Sequence, residues 1–279
     1  MTTGERHSED LETVEMQLLL EGVYRRYGFD FREYAYSSLR RRIREAVRAE
    51  EVRNISELQA KVLHDRACWQ RVFLKLGVNV TSMFRNPGFF LTFRRKVVPL
   101  LQSRPFIRIW HAGCASGEEV YSMAILLTEE GLYDRCRIYA TDINKAVLRR
   151  GIAGIYPLTD MKEYTNNYLK AGGTRSFSEY YTARYGNALF RASLRENIVF
   201  SQHNLVGDGG FNTFDVILCR NVMIYFNRSL QTRVHELFHD SLSTFGVLGL
   251  GQGESLRFMP NEGSYSQLDS GHALYRKIM

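Results

Sequence analysis

The chain has 279 residues, enough for one large domain or two modest ones. With 44% hydrophobic and 24% charged residues it has the balance of a water-soluble globular protein, and no apolar run approaches the roughly 20 residues of a membrane-spanning helix. Its opening, MTTGERHSEDLET, lacks the apolar core of a signal peptide, and Cys68, Cys114, Cys136 and Cys219 show no spacing that suggests a disulfide framework or a zinc site, so a cytoplasmic protein is expected.

Residues 9 to about 85 read as helices. Leu11, Val14, Leu18 and Val23 recur at near-helical spacing, with Gly28 as a stop. Leu39, Ile43 and Val47 form a second stripe, a third helix starts at Ser56, and Trp69 to Leu76 supply another. The formal net charge of +7 is concentrated here, because Arg40, Arg41, Arg42, Arg44 and Arg48 crowd one helix. A basic face of this kind attracts acidic partners, whether nucleic acid, anionic lipid or acidic protein, although a solvated helix face reads the same way.

The linker near 86–104 holds Pro87 and Pro99 and is expected to carry one helix. From Ile107 the texture changes to strands alternating with helices: IRIWHAG, EEVYSMAILLTEEG, CRIYATDI, NKAVLRRGI, NIVFSQHNL, FDVILCRNVMIYF, a helix around 230–242, then GVLGLGQGE. Such alternation predicts a parallel sheet covered by helices, interrupted by a small β-containing insertion at about 155–197. The expected organisation is a helical domain over residues 1–88 and an α/β domain over 89–279.

Ligands of such sheets bind beyond the carboxyl ends of the strands. After IRIW comes His111-Ala-Gly-Cys-Ala-Ser-Gly-Glu-Glu119, whose glycines allow close backbone approach. The run is neither GxGxxG nor a Walker loop, and its paired glutamates suit a cationic amine better than a phosphate. Asp142 ends the next strand, where an acidic residue can accept hydrogen bonds from ribose hydroxyls or simply cap a helix. His203, Asn204 and Leu205 follow the third strand, placed to meet an adenine, and Arg220 and Asn221 follow the fourth. Together these polar strand ends suit S-adenosylmethionine. The Pro-Pro-aromatic run of amino-methylating nucleic-acid enzymes is missing, and Cys219 reads as a small buried residue rather than the nucleophile of cytosine methylation.

Asn79-Val-Thr-Ser-Met-Phe-Arg85, Ala115-Ser-Gly-Glu-Glu-Val-Tyr-Ser122, Ala140-Thr-Asp-Ile143 and Cys219-Arg-Asn-Val-Met-Ile-Tyr-Phe226 resemble the chemotaxis receptor glutamate methyltransferases, the CheR family, over nearly the whole chain. The resemblance implies a Rossmann-like S-adenosylmethionine-dependent methyltransferase domain with a small β insertion, preceded by an all-helical N-terminal domain. By the same resemblance Asn79, Thr81 and Arg85 reach the cofactor, Glu119 holds its amino group, Asp142 its ribose, and Asn204 and Leu205 frame the adenine. Arg220 and Asn221 close the site, while Arg85 and Tyr225 lie beside the methyl group as catalytic residues.

The implied activity is esterification of glutamates on the cytoplasmic helical bundle of methyl-accepting chemotaxis receptors, with S-adenosylhomocysteine as product. Arg41, Arg42 and Arg44 are expected to steer receptor docking. Val120 replaces a family proline, and residues 169–197 lack the glycine-rich spacing of enterobacterial members, whose β insertion docks a receptor tail peptide. No nucleic-acid partner, no metal and no membrane insertion are expected, and the chain is expected to be a monomer. A methyltransferase for another protein, a nucleic acid or a small molecule, and a non-catalytic cofactor-binding regulator, remain as alternatives.

Overall fold

The computed structural model describes residues 3–77 and 80–279. The chain forms two compact units, Met1–Val78 with Ile224–Gln231, and Asn79–Met223 with Thr232–Met279.

The helical unit contains α1 (Thr3–Tyr27), α2 (Tyr36–Ala49), α3 (Ile55–His64) and α4 (Arg66–Leu76). Gly28, at φ 76°, ends α1 and returns its N–H to the Tyr24 carbonyl, as a left-handed glycine stop should. Asn54 and Asp65 cap α3 and α4 by accepting the N–H of Glu57 and Ala67. The face of α1 differs from expectation. Met16, Leu19, Leu20 and Val23 are buried, while Leu11, Val14 and Leu18 are exposed. Both sets satisfy helical spacing, and packing against α3 selects the first. Tyr27 stacks on Trp69 at 4.7 Å, and Phe29 and Phe73 extend the aromatic core. Residues 224–231 complete this unit through the backbone: Ala35 N–H donates to the Tyr225 carbonyl at 2.7 Å, Asn227 N–H donates to the Glu33 carbonyl at 2.8 Å, and Tyr34 bridges Phe226.

The second unit opens with α5 (Pro87–Thr92), a π-helical turn at Phe93–Val97 and α6 (Val98–Leu101). The α/β core follows: β1 (Ile107–Ala112), α7 (Glu118–Glu129), β2 (Cys136–Asp142) and α8 (Lys145–Ala153). An insertion then contributes β3 (Ile155–Pro157), α9 (Met161–Lys170), β4 (Tyr181–Arg184) and β5 (Asn187–Phe190). The core resumes with β6 (Ile198–Gln202), β7 (Phe214–Cys219), α10 (Arg228–Ser241), β8 (Leu242–Leu250), β9 (Tyr265–Gln267) and β10 (Leu274–Lys277).

The main sheet has the order β6-β2-β1-β7-β8-β10-β9. Its first five strands are parallel, and β10 and β9 close one side as an antiparallel pair. β7 is buried along its whole length, which is why FDVILC reads as a continuous apolar run. The strand order reverses between β1 and β7, so their following loops diverge and leave a crevice beyond the strand ends. The insertion is a separate antiparallel sheet, β3-β5-β4. Arg94, in the π turn, ties it down by pairing with Glu129 and Glu130 and donating to the Ala171 carbonyl, while Tyr180 also donates to Glu129 at 2.9 Å.

Candidate active site

Four strand ends converge on the crevice. Beyond β1 the chain turns through Gly113 at φ 74°, Ala115 at φ 48° and Gly117 at φ 89°. The N–H groups of Gly113 and Cys114 both donate to the Thr141 carbonyl, at 2.8 and 2.9 Å, so the loop is drawn against the end of β2. A Cβ on Gly113 would lie 2.6 Å from Val222 Cγ2, so glycine is required there for space as well as for φ.

The paired glutamates separate in role. Glu118 folds back to accept from the Ser116 hydroxyl at 2.8 Å, and burial pushes its carboxyl up. Glu119 accepts from Arg220 Nη1 at 2.6 Å and lies 3.3 Å from His111 Nδ1. Burial alone would raise its pKa, but Arg220 and His111 outweigh that and hold it at about 2. Arg220 is the hub of the site, with a side chain only 1% exposed. Its Nη2 donates to the Arg85 carbonyl at 3.0 Å and to Asn86 Oδ1 at 3.2 Å, and its guanidinium lies 4.0 Å from the Phe89 ring centroid.

Asp142 accepts the N–H of Ala115 and of Asn144, each at 2.9 Å, and burial raises its pKa despite these bonds. Asn144, rather than Asp142, caps α8, accepting from Ala146 N–H at 2.9 Å. Beyond β6, His203 is buried in an aromatic nest with Trp110 and Phe211, and its Nε2 lies 3.1 Å from the Gly209 carbonyl. Asn204 closes its own turn by accepting from Val206 N–H at 3.1 Å, and Leu205 is half-buried beside it.

Arg85 is flanked by Phe84 at φ 50° and Asn86 at φ 57°, a left-handed backbone that is costly for phenylalanine and tolerated by asparagine. Its Nη1 donates to the Val80 carbonyl at 3.1 Å, and Thr81 is half-buried. Asn79 lies outside the described residues. Asn221 is also left-handed, at φ 61°. Ala115 and Phe84 therefore put strained backbone in the segments that line the crevice, as functional sites commonly do.

Glu254, just past β8, was not anticipated from the sequence. It accepts from the N–H groups of Gly251, Asn221 and Val222 at 2.6, 2.9 and 3.0 Å, and so fixes the loop after β7. Applying the strand-end rule to GVLGLGQGE as well would have found it.

In the helical unit the three expected docking arginines part company. Arg41 is exposed, 3.9 Å from Glu45, and Arg44 is half exposed and paired with Glu12 at 2.6 Å. Arg42 is buried, and the expectation that it meets a docking partner is corrected: with Leu39, Ile43 and Ala46 it occupies the inward face of α2. Its guanidinium lies 4.6 Å from the Tyr225 ring centroid.

Residues 79–272 match the profile described as CheR methyltransferase, SAM binding domain, and residues 14–76 match CheR methyltransferase, all-alpha domain. The chain belongs to the CheR methyltransferase family. Cher3 of Pseudomonas putida, a methyltransferase by name, is 46% identical over 275 residues, 99% of each chain. The chemotaxis protein methyltransferase of Listeria innocua is 30% identical, covering 84% of this chain and 87% of its own. That of Salmonella typhimurium is 30% identical, covering 86% and 83%.

As a CheR member the chain is an S-adenosylmethionine-dependent methyltransferase, and its crevice suits that molecule. Asp142 accepts backbone N–H groups through both carboxylate oxygens and, with more than one lone pair on each, keeps acceptor capacity for hydroxyls. His111 Nε2 and Arg220 Nε are buried without hydrogen-bond partners among the described residues, polar atoms that a polar ligand would satisfy. No helix among the described residues is long and apolar enough to cross a membrane.

Proposed function

We propose that this CheR methyltransferase esterifies glutamate side chains on the helical cytoplasmic bundle of chemoreceptors, working in the cytoplasm as a monomer. The observation that carries the reading is the hydrogen bond from Arg220 to the Arg85 carbonyl at 3.0 Å, which joins NVTSMFR to CRNVMIYF. These are the two runs most specific to receptor methyltransferases, and they are distant in sequence. The chemotaxis methyltransferases of Listeria and Salmonella, alike over most of their length, support the same substrate class.

S-adenosylmethionine supplies a sulfonium-activated methyl group; the glutamate oxygen forms the new C–O bond as the C–S bond breaks and S-adenosylhomocysteine leaves. A glutamate of ordinary pKa about 4.3 is already ionised near neutrality, so no general base is required. What remains for the protein is alignment and exclusion of water. Glu119 holds the amine alongside Arg220, Asp142 takes the ribose hydroxyls, and Thr81, Asn79, Asn204, Leu205 and Asn221 bound the rest. Arg85 and Tyr225 orient the acceptor carboxylate. An ion pair that is too direct would weaken the nucleophile, so Arg85 acts obliquely and Tyr225 shares the positioning. Arg41 and Arg44 guide docking.

The test is transfer of labelled methyl groups to receptor-containing membranes, followed by treatment with base. Glutamyl esters release methanol, whereas a base-stable product or none refutes the reading. Tyr225→Phe and Arg85→Ala are each expected to lower turnover about tenfold or more, the loss of one positioning contact. Near-full turnover in both variants would remove those residues from the chemistry.

A further inference from the structure

The remaining arginine of the expected docking trio has a different task. Arg42 is only 4% exposed, although its neighbours on α2 face water. Taking a guanidinium out of water is costly unless its surroundings answer it. Here Nη1 donates to the Leu76 carbonyl at 2.6 Å, while Nη2 is buried with no hydrogen-bond partner among the described residues. Burial accordingly lowers its pKa. The charge also faces the Tyr225 ring at 4.6 Å, and a cation over an aromatic face is worth most where water is excluded.

Tyr225 needs such a contact. The bonds from Ala35 to the Tyr225 carbonyl and from Asn227 to Glu33 fix its backbone but leave its ring free to turn. The ring is half-buried, and its hydroxyl makes no hydrogen bond among the described residues. It is therefore held by its face, with the polar tip uncommitted. Arginine suits this place better than lysine, because a planar guanidinium can lie against a ring and still donate sideways to a carbonyl.

We propose that Arg42 is a positioning residue for the methyl-transfer step, holding the Tyr225 ring so that its hydroxyl addresses the acceptor. This rests on the reading that Tyr225 works at the transferred methyl group.

Two measurements test it, one of them independent of any acceptor. In protein carrying 13C-labelled tyrosine rings, the Tyr225 signal is assigned by its disappearance in Y225F. It should shift in both R42K and R42M, and an unmoved signal overturns the contact. The second measurement is a kinetic cycle of wild type, R42M, Y225F and the double variant on receptor membranes. R42M should lower kcat about tenfold, with the KM for S-adenosylmethionine within about twofold, and the double variant should be little worse than Y225F alone. R42K, which folds with the charge in place, should fall between wild type and R42M. Additive losses, or a loss of cofactor affinity in R42K, make Arg42 a structural residue only. Failure of wild type to form base-labile esters counts against the proposed substrate and leaves the ring measurement to decide the contact.

Discussion

Arg220 is buried against Phe89, and its charge is answered by Glu119 on one side and by the Arg85 carbonyl and Asn86 on the other. Removing one member of such a pair leaves the other desolvated and alone, which costs about 3 kcal/mol. Glu119→Gln should lower the unfolding free energy by about that amount at pH 7, as measured by denaturant titration. The pH dependence has a definite sign. Because the Glu119 carboxyl is held at about 2 in the folded protein against 4.5 ordinarily, its contribution is complete above the ordinary value and is lost as pH falls from there toward 2. The difference between wild type and Glu119→Gln should therefore shrink on acidification through that range. A constant difference would show that the ion pair does not govern the effect. Arg42 shows why residue roles were only partly legible. In sequence it is one of several interchangeable arginines, and its helical phase beside Leu39, Ile43 and Ala46 decides that it points inward.

Among the elements, the turn after β1 carries the tightest steric constraint. Gly113→Ala adds a Cβ at 2.6 Å from Val222 Cγ2 in a conformation at φ 74°. The left-handed backbone alone costs a non-glycine residue about 1–2 kcal/mol. The expected result is at least a tenfold loss in S-adenosylmethionine affinity by calorimetry. Combining it with Val222→Ala should restore part of the loss, because the clash is relieved while the backbone cost persists. No recovery would place the effect in the backbone alone. The alternation of β1, α7, β2 and α8 was legible because periods of two and 3.6 differ plainly and the strands are buried on both faces. β9 and β10 were not: at three and four residues each they are too short to show a period, and they form an antiparallel hairpin that no strand–helix alternation announces. The face of α1 was misread because Leu11, Val14 and Leu18 mimic a core stripe. Glu254 escaped because the strand-end rule was carried only as far as β7, whereas this residue follows β8 and accepts from backbone N–H groups.

At the scale of the molecule, a net charge of +7 is concentrated in part on α2, but it is not all available for docking. Glu12 occupies Arg40 and Arg44 and is held at about 2 by them, so Arg41 is left as the most exposed charge of the expected trio. Reversing Arg41 and Arg44 together to glutamate should slow receptor methylation about tenfold at low ionic strength, and the deficit should narrow near 0.5 M salt as screening shortens the field. Cofactor affinity should be unchanged, and a fall in it would point to disturbed packing through Glu12 instead.

The strip 224–231 has a consequence in time. A chain made from its N-terminus delivers α1 to α4 early, yet the partners of the Ala35 N–H and the Glu33 carbonyl arrive only with Tyr225 and Asn227. Until then the first-made unit keeps an open edge that water must satisfy. A chain cut short anywhere before Tyr225 keeps that edge permanently, and Arg42 with it loses the ring it was buried against. Truncated products are therefore marked as unfinished in the part that was synthesised first, where proteases and chaperones can recognise them.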